Sequence, residues 1–450
     1  MAWLSRFRGR KSSEKVVVIG LDGVPFSLIT GLLRQGELPN LARMVKSGSL
    51  VETHSVLPTV SSVAWSSFMT GKNPAKHNIY GFVERSPDSY DIFIPNSNTM
   101  GSDTLWEILG RAGKRVIVMN VPVTYPPREV NGILVAGFLA PTLERGVYPP
   151  DLAKTLAGMG YLIDSDPWVA RESKDKFLED LRHILAKREE ALFYLLQREE
   201  WDFLMMHIME TDRLHHFLWE HMENQDPIYA EEFVAFYRLI DLFLGRVYDR
   251  VREEATVIVM SDHGFCTLKK EVYINYWLAQ NGWLKYKTSS PKSLADIHPD
   301  SKAYSLDPGR MYINLRGREP AGSVEQGAEY EAVRAELAQG LEGLQDPDTG
   351  EPMVERVVRR EEIYSGRFYE GAPDLILIPR RGYDPKGSFG TTSLTHKGAL
   401  EGMHTFDDAM LYIGGHRVIK DTPLVMDVMP TILGLMGVEK PADIDGVTLI

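Results

Sequence analysis

An α/β fold, with a mostly parallel central sheet, helices on both faces and an inserted cap region, is what this sequence predicts. Three observations carry the prediction. Short apolar runs rich in Val and Ile recur along the chain, and stretches of helical spacing separate them. Two of those runs, "KVVVIGLDG" (15 to 23) and "TVIVMSDHGF" (256 to 265), end abruptly in acids, as strands do at the ligand-bearing edge of an open sheet.

The elements follow in order. The run from residue 15 reads as a buried strand, and "PFSLITGLLRQGELPNLARMVKSG" behind it has helical spacing punctuated by Gly and Pro. "LPTVSSVAWSSFMTG" (57 to 71) is a hydroxyl-rich turn followed by an apolar helix. The alternation continues with a helix near "DTLWEILGRAG", a strand at "KRVIVMNVP", a long helix around residues 173 to 199 and a strand at "DFLMMHIM" (202 to 209). Beyond the "SDHGF" turn the pattern loosens. Residues 288 to 390 mix short strands ("RMYINLRG", "DLILIP") with a helix near "EYEAVRAELAQGLEGL" and turns such as "DPDTGEP". The tail returns to the core pattern with "AMLYIGG" and a helix at "LVMDVMPTILGLMGV". The chain therefore divides into a basic N-terminal stretch (1 to 14), a catalytic core (15 to 287), an insertion or cap that is the natural specificity element (288 to 390), and a return to the core (391 to 450).

Composition narrows the class. The 450 residues are 44% hydrophobic and 25% charged, ordinary for a globular chain, and the formal charge of -12 argues against a general nucleic-acid binder. The single cysteine, Cys266, excludes an intramolecular disulfide framework. No run reaches the apolar length of a membrane span, and "MAWLSRFRGRKSSEK" lacks a signal-peptide core, so a cytoplasmic protein is expected. Within residues 1 to 11, Trp3, Leu4 and Phe7 alternate with Arg6, Arg8, Arg10 and Lys11, a pattern suited to weak contact with an anionic membrane; a solvated terminus is the better reading.

Four places then compete for chemistry. Asp22 and Asp262 each follow an apolar run, so two strands deliver a carboxylate to one sheet edge; alone, either is a turn former or cap. In "METDRLHHFLW" (209 to 219), Asp212 and His216 are four apart and share a helix face, close enough to hold one cation, while His215 points about 100° away and reads as a packing residue. "GMHTFDD" (402 to 408) adds His404 in a Gly-flanked loop. With His263 these make three carboxylates and three imidazoles, a mixed N and O set that suits zinc. Thr59, Ser61 and Ser62 stand where a helix N-terminus holds an anion, or serve merely as N-caps.

Taken in this order, the stretches resemble the alkaline phosphatase superfamily, most closely its type I phosphodiesterase and nucleotide pyrophosphatase branch, from "VVVIGLDG" to "GMHTF". The resemblance implies an alkaline-phosphatase-like fold and two divalent metal ions, zinc by family expectation, with manganese fitting the same ligand types. It implies Asp22, Ser61, Asp262 and His263 around one ion and Asp212, His216 and His404 around the other. It makes Ser61 the nucleophile, laid in register by the P-T-x-T/S pattern with the closing T-G at Thr70 and Gly71. The branch's phosphate-clamping asparagine falls on Ala64, which puts nucleotide specificity in doubt.

The expected function is a two-metal hydrolase of phosphoric esters, with phosphodiesters the favoured substrates, working through a phosphoserine intermediate. The substrate is a small phosphoester: a nucleotide, a lipid head group or a sugar phosphate. A phosphoethanolamine or phosphoryl transferase or a phosphomutase would keep the same metals, and a catalytically silent metal-binding scaffold would not need an open site. A sulfatase would need a C/S-x-P-x-R sequence, and Cys266 sits in "GFCTLKK" instead.

Overall fold

The computed structural model describes residues 14 to 450, apart from the side chain of Pro167, so the basic, aromatic pattern at residues 1 to 11 lies outside the described residues. An eight-stranded sheet forms the core. In spatial order its strands are Gly48–Thr53, Ala409–Gly414, Ala255–Met260, Lys15–Leu21, Phe203–Ile208, Val116–Met119, Gly132–Val135 and Val147–Tyr148. The five strands from Ala255–Met260 to Gly132–Val135 run parallel to their neighbours, and antiparallel partners close both edges.

Side-chain alternation explains why these runs form the middle of the sheet. Val17, Ile19 and Leu21 pack into an apolar cluster on one face, while Val16 and Val18 pack into a second cluster on the other. Strand Ala255–Met260 repeats this division, with Val257 and Val259 against Ile258 and Met260. Burying each such side chain stabilises the fold by roughly 1.5 to 3 kcal/mol. The long helices Lys174–Arg198 and Tyr229–Val251 cover the first face. Helix Ser61–Thr70 and helix Val428–Leu435 cover the second.

A four-stranded antiparallel sheet, in the order Ala303–Leu306, Arg310–Ile313, Leu375–Pro379 and Val354–Arg359, stands beside this core. Its apolar cluster draws in residues from Val272 to Tyr383, including Leu337 and Leu341 of helix Ala328–Glu342. Buried ion pairs fasten it down. Arg310 Nη1 meets Glu84 Oε2 at 3.1 Å and Arg85 Nη1 meets Glu319 Oε2 at 3.2 Å, so the smaller sheet is held against the short strand Glu84–Arg85. Tyr364 adds a hydroxyl that donates to the Leu57 carbonyl at 2.9 Å. Among the described residues, no helix is long and apolar enough to cross a membrane.

Candidate metal and nucleophile site

Three adjacent parallel strands end at the same edge and deliver the acids and imidazoles there. Strand Lys15–Leu21 lies between Phe203–Ile208 and Ala255–Met260, with Gly20 in register with both His207 and Met260. The residues just beyond the three strands, Asp22, the helix Glu210–Glu223 and the pair Asp262 and His263, consequently converge.

Ser61 opens the helix Ser61–Thr70, whose N-cap position is Val60, with no side-chain cap. The capping role open to Thr59, Ser61 and Ser62 in the sequence is therefore not used: Thr59 donates to the Val56 carbonyl at 3.1 Å, and Ser62 Oγ is buried with no partner among the described residues. Ser61 Oγ instead donates to Asp22 Oδ1 at 3.1 Å and stands 3.3 Å from His263 Nε2. Its first-turn amides sit at the positive end of a ten-residue helix. Ala64 is fully buried in apolar packing and offers no polar group.

His263 donates from Nδ1 to the Gly264 carbonyl at 3.0 Å, which leaves the Nε2 lone pair facing Ser61, Asp22 Oδ1 at 3.5 Å and Asp262 Oδ2 at 3.4 Å. Burial pushes its pKa down to about 3, so the ring is neutral, the form that ligates metals. Gly23, at φ +66, keeps the approach tight: a Cβ there would lie 3.1 Å from the His263 ring.

Asp212 and His216 do share a helix face, with Oδ1 and Nε2 3.4 Å apart. His404 is not in a loop as the sequence suggests. It lies on strand Gly402–Thr405, which pairs antiparallel with Gly264–Thr267, and this ribbon stacks its ring on His263 with centroids 3.8 Å apart. His404 Nε2 comes within 3.1 Å of His216 Nε2 and 3.2 Å of Asp212 Oδ1. His215 points away, bonded to the Gly23 carbonyl and the Tyr237 hydroxyl, in keeping with a packing residue.

All seven sequence candidates thus meet, in a grouping that differs in two respects: Asp212 joins both sets, and Asp262 stands outside them, beside His263. Ligand atoms of Asp212, His216 and His404 lie within 4.8 Å of one another, and so do those of Asp22, Asp212 and His263; Asp212 stands between the two groups. The donor sets fit divalent cations. Asp262 Oδ1 accepts the Gly23 amide at 3.0 Å, but its buried Oδ2, 3.4 Å from His263 Nε2, accepts no hydrogen bond among the described residues. Burial and the charge of Asp22 push the Asp262 pKa well up, a cost that a cation would reverse. Burial also works against Asp212, yet the neighbouring His216 and His404 hold its carboxyl well below the ordinary range.

Two residues absent from the sequence reading complete the cluster. Trp65 Nε1 donates to Asp22 Oδ2 at 2.8 Å and His207 Nε2 donates to the same oxygen at 2.7 Å. Each sits in a run that reads simply as core, "SSVAWSSF" and "FLMMHIM", and a polar residue inside the second run was the one available signal.

The cluster opens on a cleft of about 590 Å³ between the two sheets. His216, His404 and Thr59 line its inner end, and Phe82, Arg356 and Ile378 stand among its walls.

A mostly parallel sheet that gathers a buried hydroxyl, carboxylates and imidazoles at one edge agrees with the class of phosphoester hydrolases in the alkaline phosphatase superfamily. Within that class the chain belongs to the family described as type I phosphodiesterase / nucleotide pyrophosphatase, which it matches over residues 16–407. Solved structures share the fold at low identity. Phosphonoacetate hydrolase from Sinorhizobium meliloti 1021, in complex with phosphonoformate, is 17% identical, with 94% of this chain and 96% of that one covered and a TM-score of 0.64. Murine ectonucleotide pyrophosphatase / phosphodiesterase 5 is 14% identical, with 95% and 96% covered and a TM-score of 0.56.

Proposed function

We propose that this protein hydrolyses small phosphodiesters at a two-cation centre, with Ser61 as the nucleophile. The observation that carries the reading is the position of Ser61 Oγ, 3.1 Å from Asp22 Oδ1 and 3.3 Å from His263 Nε2, beside a second ligand group that shares Asp212. One cation would be held by Asp22, Asp262, His263 and Ser61 and the other by Asp212, His216 and His404. Bound there, divalent ions, zinc or manganese, would supply the charge that lowers the serine pKa and neutralises the phosphoryl oxygens.

The chain's own groups account for the rest. Asp22 Oδ1 and His263 Nε2, the two atoms within hydrogen-bond reach of Ser61 Oγ, would turn to the cation, so the Ser61 proton passes to water as the nucleophile forms. Ser61 Oγ attacks phosphorus in line, the bond to the leaving ester oxygen breaks, and a phosphoserine forms; water then cleaves the Oγ–P bond and restores the hydroxyl. The Ser61 and Ser62 amides, at the N-terminus of helix Ser61–Thr70, offer the transferred group N–H donors where the Ala64 side chain offers none. The cleft supports a diester over a monoester: about 590 Å³ falls within the roughly 300 to 1,000 Å³ of small-molecule sites and leaves room for a second ester arm. The walls contributed by residues 355 to 386, from the smaller sheet and the strand Tyr383–Lys386 beside it, are the specificity element.

The test is hydrolysis of a chromogenic phosphodiester and the matching monoester by metal-stripped protein, with zinc or manganese restored, beside Ser61→Ala. Diester cleavage that returns with metal and is lost in the variant is expected. Folded protein that binds two ions and turns over neither ester would replace this reading with a transferase or a silent scaffold.

A further inference from the structure

The Asp22 carboxylate is served unequally. Its Oδ2 takes two hydrogen bonds, from Trp65 Nε1 at 2.8 Å and His207 Nε2 at 2.7 Å, while Oδ1 faces Ser61 Oγ and His263 Nε2. A carboxylate oxygen has two lone pairs, so two N–H donors occupy Oδ2 fully. Only Oδ1 remains open.

The two donors are built in at a cost. His207 is fully buried on a strand whose other residues are apolar, and its Nδ1 has no partner among the described residues. A leucine there would fill the sheet with no such penalty, so the gain from the imidazole is its bond to Asp22. Trp65 is equally buried, and its ring stands edge-on to His207 with centroids 4.8 Å apart. Gly20, directly in register with His207, makes the space: a Cβ at residue 20 would lie 2.5 Å from the Trp65 ring. Glycine, tryptophan and histidine therefore come from strand Lys15–Leu21, helix Ser61–Thr70 and strand Phe203–Ile208, and meet behind one oxygen of one carboxylate.

We infer that His207 and Trp65 are positioning residues that hold Asp22 so that it binds its cation through Oδ1 alone. The inference rests on the proposed reading of Asp22 as a metal ligand. Neither residue touches substrate. Outer-shell partners of this kind change metal affinity by about 10 to 100-fold.

The deciding experiment titrates the metal-free full-length protein with zinc alone by calorimetry, for the natural sequence, His207→Leu, His207→Gln and Trp65→Phe, each first checked for fold by circular dichroism. Two ions are expected in the natural protein. In His207→Leu one of them weakens about 10-fold or more and the other keeps its affinity; His207→Gln, which retains an N–H donor, recovers most of the loss. Trp65→Phe, which keeps the ring and removes the donor, weakens the same ion by several-fold and decides the matter if the leucine variant does not fold. Two ions bound at natural affinity in the folded variants, or equal weakening of both ions, would overturn the inference and leave the proposed function standing. A natural protein that binds no zinc would overturn the reading of Asp22 as a ligand, and this inference with it.

Discussion

The two halves of the ligand cluster are built from similar side chains and meet solvent differently. Asp22, Asp262 and His263 are completely buried at the ends of parallel strands, and their outer atoms are already held: Asp22 and Asp262 accept from the Trp65 indole and the Gly23 amide, and His263 donates to the Gly264 carbonyl. His216 and His404 keep 18% and 16% of their side-chain surface exposed, sit on a helix and a two-stranded ribbon, and border the cleft. A buried half made of rigid strand ends is preorganised before any ligand arrives, whereas an open half can exchange its contents with the cleft. Asp212 belongs to both, which ties the closed half to the accessible one.

Ser61→Ala should sharpen this contrast most. It removes the only hydroxyl of the 57 to 62 segment that meets the buried half, and turnover should fall by about 10⁴-fold or more while ion binding persists, read as kcat/KM beside metal stoichiometry. Asp212→Asn comes next. If one carboxylate serves both halves, both ions weaken and turnover falls by about 10³-fold or more, whereas loss of a single ion would break the shared-carboxylate picture. His404→Ala should weaken one ion only, and stepwise chelation of the natural protein should release the open-half ion first. Simultaneous release would erase the distinction drawn from burial.

The smallest effect lies away from both halves. His77 is fully buried, accepts the Ile79 amide at Nδ1 and bonds Ser67 Oγ through Nε2; burial and the charge of Lys72 push its pKa down to about 3 from the ordinary 6.5. Between those values the unfolded chain binds a proton that the folded chain does not, so this histidine makes stability fall as pH drops from 6.5 toward 3. Denaturation midpoints of the metal-free protein should follow that slope, and His77→Gln should flatten it by up to one proton. An unchanged slope would mean that groups elsewhere, in the ligand cluster included, carry the whole acid response.

The strands, the acids at their ends and the Asp212 and His216 helix face were legible in the sequence, because all of them follow from local periodicity: two residues per pleat, 3.6 per turn, and apolar runs that stop where the sheet does. The apolar helix behind the hydroxyl-rich turn was legible too, though which hydroxyl begins it was not; it starts at Ser61. Local pattern does not encode partners. His404 read as a loop residue because "GMHT" becomes a strand only when "GFCT", 138 positions earlier in the chain, lies beside it. His207 and Trp65 read as core because the polar atom each contributes is matched by Asp22, 185 and 43 residues away.

Local pattern was thus sufficient for the kind of fold and the edge that bears the chemistry, since each depends on neighbours a few positions apart, and the order of motifs, through the family it resembles, named the seven residues gathered there. Three things arose only on folding: which oxygen of Asp22 is free, that Asp212 lies between the two ligand groups, and which walls the smaller sheet gives the cleft. Each is a distance between atoms far apart in sequence, set by how strands register and sheets pack.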